Sequence, residues 1–255
     1  MPNIVIKIAG SCARWADIYL DGINRFLLRA APRCSGRMLD VGCGSKPYKG
    51  IFSPFVREYV GIEHSGTLNE THDVHNAAAD FFYDGGQLPF TDESFDVVMS
   101  ISVLEHTPQP EMLFKEMARV LKVGGIMIQH VPFSFRLHEE PHDYYRFTPH
   151  VLGRFCADSG MEMIELAPQG TLWSVIGHKL VTMLVFKVAR MGAIAQRLGK
   201  LGMERTQNQN CRYWTLVFVA PLVVIIVAWT RLFEKLCPVE GDSLAFCMIA
   251  TKKTS

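Results

Sequence analysis

Residues 38–44, with the sequence Met-Leu-Asp-Val-Gly-Cys-Gly, constrain the fold of this chain more than any other stretch. Their apolar start predicts a strand, and Gly42 and Gly44 predict a tight turn in which a ligand can lie against bare backbone. The next apolar run, residues 58–62, is followed by the acidic Glu63. A strand, a glycine-rich turn and an acid about 20 residues further on are typical of the nucleoside-binding edge of a doubly wound sheet.

Asp40 and Pro47 narrow the kind of ligand that this turn suits. A dinucleotide site has the pattern Gly-x-Gly-x-x-Gly and directs a helix N-terminus at a pyrophosphate. Here Pro47 stands where the third glycine would be, and the carboxylate of Asp40 would repel a pyrophosphate. The same carboxylate suits a cationic ligand. A tight strand-to-helix turn without any ligand is the alternative that the sequence leaves open.

Further motifs follow in the order and spacing of one known family. They are Leu-Pro-Phe at residues 88–90, Phe-Asp-Val-Val at 95–98, Leu-Glu-His at 104–106 and Lys-Val-Gly-Gly at 122–125. Together with the turn, they make residues 37–167 resemble the class I S-adenosylmethionine-dependent methyltransferases, and most of all the type 11 branch. The chain departs from this branch at Lys46, where many members have a third glycine.

The alternation of apolar runs with amphipathic stretches predicts the fold class. It indicates an α/β fold with a doubly wound seven-stranded sheet, the Rossmann-like methyltransferase fold that the resemblance also implies. Strands are expected near residues 37–41, 58–62, 80–83, 95–101, 125–131, 161–167 and 244–250. The last strand should lie antiparallel between its two neighbours.

Helical patterns complete the predicted organisation. A lead-in helix is expected over residues 11–31, and Pro149 should open a helix directly after Thr148. A further helix should bury one apolar face, formed by Met112, Leu113, Met117, Val120 and Leu121. The predicted divisions are a lead-in segment (1–36), a cofactor-binding domain (37–167 and 243–253) and a helical apolar insertion (168–242).

The insertion is the second unusual feature, because about 75 residues separate the last two predicted strands and a structureless loop of that length is improbable. Residues 213–230 carry no charge, and as a helix they would reach about 27 Å, close to a bilayer's hydrocarbon thickness. Residues 190–212 hold five basic side chains against the single Glu204. Since the last strand must rejoin its sheet, we expect residues 171–236 to lie in one leaflet of a membrane. A hairpin that crosses twice, or a helical pair packed on the domain or in a homodimer, are the alternatives.

The resemblance implies a role for each polar or small residue at the sheet edge. Asp40 and the turn backbone would hold the methionine portion of S-adenosylmethionine, with the carboxylate near the ammonium group. Glu63 would accept hydrogen bonds from the ribose hydroxyls, and Asp84 would contact adenine N6, with Asp80 as the competing acid. Gln87 and Leu88 would flank the adenine ring, and Ser100 and Ile101 would lie under the sulfonium. The implied cofactor-binding residues are therefore Asp40, Gly42, Cys43, Gly44, Glu63, Asp84, Gln87, Leu88, Ser100 and Ile101.

Candidate catalytic residues follow the fourth and fifth predicted strands. Methyl transfer is an in-line displacement in which positioning supplies most of the acceleration and a base helps a hydroxyl acceptor. His106 and a polar cluster at residues 138–146 should emerge at the carboxyl edge of the sheet, and we select His142, Tyr145 and Arg146 from the cluster. As alternatives, His106 caps the following helix and the cluster packs its own helix on the sheet. The cluster lacks His-x-x-x-His spacing and a cysteine partner, so no metal is predicted.

Composition limits the remaining classes of function. The 26 basic and 25 acidic residues argue against a nucleic-acid surface. The seven cysteines form no Cys-x-x-Cys pair, which indicates a reducing compartment. Together with the apolar insertion, this predicts a cytoplasmic location at the inner face of a membrane. The expected function is methyl transfer to a small-molecule, glycan or lipid-linked acceptor. A non-catalytic cofactor-binding scaffold of a membrane assembly and a nicotinamide oxidoreductase are the alternatives.

Overall fold

The computed structural model describes residues 17–66, 78–188 and 216–254. The chain divides into two compact units. The first, which we call the helical unit, comprises residues up to Asn24, Ser134–Asp143 and Pro168–Leu244. The second, the sheet unit, comprises Arg25–Phe133, Tyr144–Ala167 and the residues from Ala245 onward.

The sheet has seven strands in the order β3-β2-β1-β4-β5-β7-β6. Their bounds are β1 Arg37–Val41, β2 Glu58–His64, β3 Phe81–Tyr83, β4 Phe95–Ile101, β5 Leu121–Pro132, β6 Met161–Gln169 and β7 Ala245–Lys252. Strands β1 to β5 pair in parallel, and β7 is antiparallel to β5 with Met248 opposite Gln129. The predicted doubly wound seven-stranded sheet is therefore confirmed, with its antiparallel strand between β5 and β6.

The helices follow the patterns of the sequence with shifted ends. Their bounds are α1 Ile18–Ala30, α2 Lys49–Phe52, α3 Pro110–Val120, α4 Pro149–Asp158, α5 Leu172–Thr182, continued by a π-helical turn at Met183–Val188, and α6 Leu216–Leu236. Asp17 caps α1, since its Oδ1 accepts the backbone N–H groups of Tyr19 and Leu20 at 3.1 and 3.0 Å. The remainder of the predicted lead-in helix, residues 11–16, lies outside the described residues. Pro149 opens α4 after an extended Thr148, as expected.

The core of the sheet unit forms around the central strands. The adjacent residues Met38 and Leu39, which point to opposite faces of β1, are both buried, as expected for a parallel strand that is covered on its two faces. Helix α3 buries Leu113, Phe114 and Met117 in the same cluster. Met112 is 54% exposed, so its predicted place on the buried face was wrong. The buried face of α3 is centred on residues 113, 114 and 117, so the side chain of residue 112 points toward solvent.

Strand β5 is longer than the predicted 125–131. It begins at Leu121, which pairs with Phe95, and the register shifts between Phe95 and Val97. Leu121, expected at the end of the helix, therefore belongs to the strand, although it is fully buried as predicted. The apolar pattern does not predict the early start of β5, because Gly124 and Gly125 interrupt the apolar run where the ladder is irregular.

In the helical unit, α5 and α6 pack against each other. A methyl group on Gly177 would clash with the Thr230 side chain, so the helices approach closely at this glycine. One turn earlier on α5, the centroid of the Trp173 ring lies 5.1 Å from that of Trp229, and the Ser174 hydroxyl donates to Glu234. Among the residues that the structure describes, no helix has both the length and the apolar composition that crossing a bilayer requires.

The same unit also joins segments that are distant in sequence. Arg231 of α6 pairs with Asp21 of α1 at 3.0 Å. The Phe135 ring lies 4.2 Å from the ring of Tyr19 and 4.9 Å from that of His178, measured between centroids. The start of α1, the loop after β5 and the insertion helices thus share one aromatic and ionic core.

Candidate functional site

The carboxyl ends of the parallel strands bring the predicted binding residues to one edge of the sheet. Asp40 lies near the end of β1, Glu63 near the end of β2, and Ser100 near the end of β4. Asp84 directly follows β3. The strand order reverses between β1 and β4, and open α/β sheets bind ligands at such a reversal.

A turn of residues 42–47, which we call the glycine turn, leaves β1 at this edge. Gly42 and Gly44 have φ angles of 71° and 48°, in the left-handed region that favours glycine. A side chain on Gly42 would clash with Val103, whereas no atom of the described residues beyond the two chain neighbours lies within 4 Å of the Cβ position of Gly44. The Gly42 N–H donates to Ile62 O at 2.9 Å, which ties the turn to β2. The turn therefore combines close packing at its first glycine with open space at its second.

Asp40 is a buried acid, 2% exposed, at the base of this turn. Burial raises the pKa of its carboxyl to about 7, and the Glu63 charge adds to the rise, whereas the hydrogen bond from Tyr59 and the charge of Lys46 oppose it. The Tyr59 hydroxyl lies 2.5 Å from Asp40 Oδ2. A nearby cation would favour the ionised form, so Asp40 is poised to gain a positively charged partner.

Glu63 links the turn to β2. Its Oε2 accepts the Gly44 N–H at 2.8 Å and its Oε1 accepts the His64 N–H at 3.0 Å. A carboxylate has about four acceptor positions, so each oxygen retains one for a ligand hydroxyl. Glu63 therefore fixes the open part of the turn while still being able to accept further hydrogen bonds.

Cys43 lies within the turn and is 2% exposed. Burial raises the pKa of its thiol to about 12, and the charges of Asp40 and Glu63 add to this rise. A thiol of this kind stays protonated near neutral pH and is a poor nucleophile. This supports the interpretation of Cys43 as a small residue that fits the turn.

On the predicted adenine side, the candidate residues differ in accessibility. Asp84 and Gln87 are exposed, and Asp84 Oδ1 accepts the Gly86 N–H at 3.1 Å. Leu88 is 1% exposed, belongs to the core, and donates its N–H to Glu116 at 2.9 Å. Asp80, the competing acid, pairs with Lys46. Of the two acids, Asp84 is thus the one without a lysine against its carboxylate in the described residues.

At the end of β4, the structure adds two residues to those predicted. Ser100 is fully buried and its Oγ has no hydrogen-bond partner among the described residues, while Ile101 is partly exposed. Beyond them, Ser102 has a φ of 55° and its Oγ lies 3.1 Å from Nδ1 of the buried His130. The sequence signal for His130 was weak, because a lone histidine within an apolar strand is usually structural.

The acceptor-side candidates of the sheet unit follow the Leu-Glu-His motif. His106 ends a 3-10 turn, Leu104–His106, and α3 begins four residues later, at Pro110. The Tyr145 hydroxyl donates to Pro108 O at 3.0 Å, and the Tyr145 N–H donates to Glu105 O at 3.3 Å. Arg146 donates to Tyr145 O at 2.7 Å. Tyr145 is therefore held beside the loop that carries His106.

The rest of the polar cluster belongs to the helical unit. His138 and Asp143 form a buried pair, with His138 Nδ1 3.1 Å from Asp143 Oδ2, and the same oxygen accepts the His138 N–H at 3.0 Å. His142 is exposed, and its N–H donates to Glu139 O at 3.0 Å. The predicted cluster is thus divided, because the unit boundary falls between Asp143 and Tyr144.

Comparison with known families agrees with this geometry. Residues 39–129, which run from β1 to β5, match the type 11 family model described as a methyltransferase domain. Over this range the chain is similar to the class I S-adenosylmethionine-dependent methyltransferases of type 11. The matched range contains the glycine turn, Glu63, Asp84 and the Leu-Glu-His motif.

Curated methyltransferases are similar to part of this chain. Over 103 residues the chain is 37% identical to an uncharacterized methyltransferase of Mycobacterium leprae (strain Br4923), a match that covers 38% of each protein. Over 105 residues it is 33% identical to an uncharacterized methyltransferase of Mycobacterium tuberculosis (strain H37Rv), which covers 38% of this chain and 39% of the relative. The chain therefore spans about two fifths of the length of the curated relatives that it matches.

Solved structures share the fold of the methyltransferase domain at low identity. The cyclase SpnF superposes with a TM-score of 0.54 at 20% identity, covering 90% of this chain and 79% of SpnF. A protein of Bacillus halodurans C-125 superposes with a TM-score of 0.51 at 17% identity, covering 89% and 97%. A likeness at this level of identity shows the fold alone.

The residues of the methyltransferase domain fit S-adenosylmethionine. Gly44 offers bare backbone beside open space, as a ligand that lies against the turn requires. Asp40 and Glu63 are acceptors for an ammonium group and for vicinal hydroxyls. The buried Ser100 Oγ, at the end of β4, has no hydrogen-bond partner among the described residues.

Proposed function

We propose that this chain is an S-adenosylmethionine-dependent methyltransferase that transfers a methyl group to a small-molecule, glycan or lipid-linked acceptor. The observation that carries this proposal is the sheet edge at which Asp40, Glu63 and the bare backbone of Gly44 come together. Two carboxylates beside an open glycine suit a ligand with an ammonium group, a sulfonium and a ribose. The same edge is poorly suited to a pyrophosphate, which Asp40 would repel.

The proposed division of labour follows from the elements that hold each residue. S-Adenosylmethionine, when bound, supplies a methyl group on a sulfonium that is a good leaving group. Asp40 and the turn backbone would bind its amino-acid portion, and Glu63 would bind its ribose. Asp84 would contact the adenine, with Gln87 and Leu88 beside the ring. Each of these residues binds or orients the cofactor. Such positioning can supply most of the acceleration of a methyl transfer.

Ser100, Ile101 and the acceptor-side residues complete the proposal. Ser100 and Ile101 would line the space under the sulfonium at the end of β4. His106 would act as a base for a hydroxyl acceptor, and Tyr145 and Arg146 would orient the acceptor. His142 remains a prediction of the same kind, carried by a loop of the helical unit.

Two measurements test this function. Titration calorimetry with S-adenosylmethionine and with NAD should show binding of the first alone, because Asp40 disfavours a pyrophosphate. Incubation with methyl-labelled S-adenosylmethionine and a membrane extract should label a small molecule, glycan or lipid. Binding without any labelling would favour a non-catalytic scaffold, and binding of NAD alone would favour an oxidoreductase.

We further propose that α6 rests on a membrane surface. Its residues Val219, Val223, Val227 and Thr230 are buried, whereas a second set of large apolar side chains on the same helix is exposed. The exposed set is Phe218, Leu222, Val224, Ile225, Leu232 and Leu236. This helix is apolar on both its buried and its exposed sides, and the sequence just before it carries five basic residues against one acid, which suits anionic lipid. The inner face of a membrane is the location that this proposal implies.

Co-sedimentation with vesicles of anionic lipid tests the surface. Ile225→Glu should lower the bound fraction, because it places a charge within the exposed apolar set. Ile164→Glu is the matched control, since Ile164 is an equally exposed apolar residue on β6. High salt should weaken binding only in part, because the apolar contribution is not screened. No binding by the unmodified protein would contradict the proposal, and a dimer lost in Ile225→Glu would assign the face to a second copy.

A further inference from the structure

Lys46 lies in the glycine turn, and its backbone has a conformation that suits glycine. Its φ is 55°, which is uncommon for a residue with a side chain. Its N–H donates to Cys43 O at 2.8 Å, which closes the glycine turn. A lysine in this conformation requires an explanation, because glycine would adopt it without strain.

The Lys46 side chain runs inward, across β2. The side chain is only 8% exposed, although lysine is rarely buried. It crosses the strand at Gly61, where an added methyl group would clash with Lys46 Cε and would lie 2.6 Å from Cys43 Sγ. Gly61 therefore leaves the space that the lysine stem and the cysteine thiol occupy.

The ammonium group ends on Asp80, just ahead of β3. Lys46 Nζ lies 2.6 Å from Asp80 Oδ2, and the same oxygen accepts the Gly61 N–H at 2.7 Å. The Asp80 N–H in turn donates to Gly61 O at 2.9 Å. Partial burial opposes ionisation of Asp80, but the hydrogen bonds from Lys46 and Gly61 lower its pKa, so the pair is charged at neutral pH.

We propose that Lys46 and Asp80 are positioning residues that clamp the glycine turn onto β2 and onto the start of β3. The clamp holds Gly44 and Glu63 in the arrangement that binds the cofactor. This role of the clamp rests on the proposed function. The clamp also neutralises the ammonium of Lys46, which would otherwise repel a cationic ligand. Because Asp80 is paired with Lys46, Asp84 is the acid that would contact the adenine.

Five variants test the clamp: Lys46→Met, Lys46→Arg, Asp80→Asn, the double variant Lys46→Met/Asp80→Asn, and Lys49→Met. Lys49→Met is the matched control, because Lys49 is an exposed lysine three residues away whose charge also acts on Asp80. Each is measured by calorimetry with S-adenosylmethionine, by thermal unfolding, and by amide hydrogen exchange of residues 42–46 without ligand.

Lys46→Met should weaken cofactor binding about ten-fold, the lower end for a charged hydrogen bond, and should speed exchange in the turn. Asp80→Asn should weaken binding at least as much, because it leaves the ammonium uncompensated. The double variant should bind no worse than Asp80→Asn alone, Lys46→Arg should retain most of the affinity, and Lys49→Met should match the unmodified protein.

The outcomes separate this inference from the proposed function. Unchanged affinity in folded Lys46→Met overturns the clamp, and so does a loss of affinity that is fully explained by a lowered unfolding temperature. If the unmodified protein does not bind S-adenosylmethionine, the proposed function fails. Hydrogen exchange then still decides the clamp, because unchanged exchange in Lys46→Met overturns it and selective acceleration supports a fixed turn.

Discussion

The Tyr59 hydroxyl donates a hydrogen bond of 2.5 Å to the buried carboxylate of Asp40. Burial and the charge of Asp40 raise the pKa of Tyr59 well above its ordinary value, so the phenol keeps its proton and remains a donor. The two side chains extend from adjacent parallel strands, β2 and β1. Tyr59 therefore controls the charge of the acid that is proposed to meet the cofactor's ammonium group, although it lies outside the glycine turn.

Replacing Tyr59 by Phe should make cofactor binding more sensitive to pH. The lost hydrogen bond favours the ionised form of Asp40, whose pKa is about 7, so its removal raises that pKa further. Affinity for S-adenosylmethionine, measured by calorimetry between pH 6 and 8.5, should fall toward low pH, and its midpoint should move upward in Tyr59→Phe. Parallel profiles for the two proteins would show that Asp40 does not govern binding.

Stability without ligand should decrease as pH rises from about 4 to about 7. The pKa of Asp40 is raised from 3.8 to about 7 in the folded protein, so between these values the folded state binds more protons than the unfolded state. Its contribution is fully present below about pH 4 and is lost as pH passes 7. Denaturant unfolding of the unmodified protein and of Asp40→Asn should therefore diverge with rising pH, with the variant becoming relatively more stable. A constant difference would contradict the assignment.

Glu63→Ala should weaken S-adenosylmethionine binding by about 1.5–3 kcal/mol, the range for hydrogen bonds to a charged group. Part of this loss comes from the turn itself, because Glu63 Oε2 accepts the Gly44 N–H. Glu63→Gln separates the two contributions, since its amide oxygen can still accept from Gly44 while the charge is gone. Equal calorimetric affinities in all three proteins would exclude the ribose role.

Tyr145→Ala should lower methyl transfer while leaving cofactor affinity nearly unchanged. Tyr145 contacts the His106 loop through Pro108 O and Glu105 O, and neither of these partners belongs to the predicted cofactor residues. Tyr145→Phe removes only the hydroxyl and serves to separate its hydrogen bond from its ring. A parallel loss of thermal stability and cofactor affinity in Tyr145→Ala would instead support a packing role.

Gly177→Val should destabilise the helical unit by about 1–3 kcal/mol, the usual cost of overpacking. Even a single methyl group at this position would clash with Thr230 of the facing helix. Gly153→Ala is the control, because Gly153 lies within α4 and the added methyl group would lie an ordinary 3.8 Å from Met163 Cε. Denaturant unfolding should show the loss for Gly177→Val alone.

The sequence alone predicted the strands of the sheet and the position of the acidic residues at its edge. Parallel strands buried on both faces produce nearly continuous apolar runs, so β1, β2 and β4 were predicted within a few residues of their observed bounds. The carboxyl ends of such strands necessarily meet at one edge, which placed Asp40 and Glu63 together.

Side-chain contacts between segments that are distant in the chain could not be predicted from the sequence. The Tyr59 hydroxyl contacts Asp40, 19 residues away in the sequence, and the Lys46 ammonium contacts Asp80, 34 residues away. No periodicity records such pairs, because each depends on the register of neighbouring strands. The division of residues 138–146 between the two units was hidden for the same reason, since local composition does not report packing partners.

The place of β7 in the sheet has a consequence for how the protein is made. β7 fits between β5 and β6, yet it is synthesised after both and after the whole helical insertion. Until it arrives, β5 and β6 present unpaired edges toward each other, and open edges invite pairing with other chains. A slow or faulty insertion would prolong that exposure, so a destabilising substitution in α5 or α6 can reduce the yield of folded protein through aggregation.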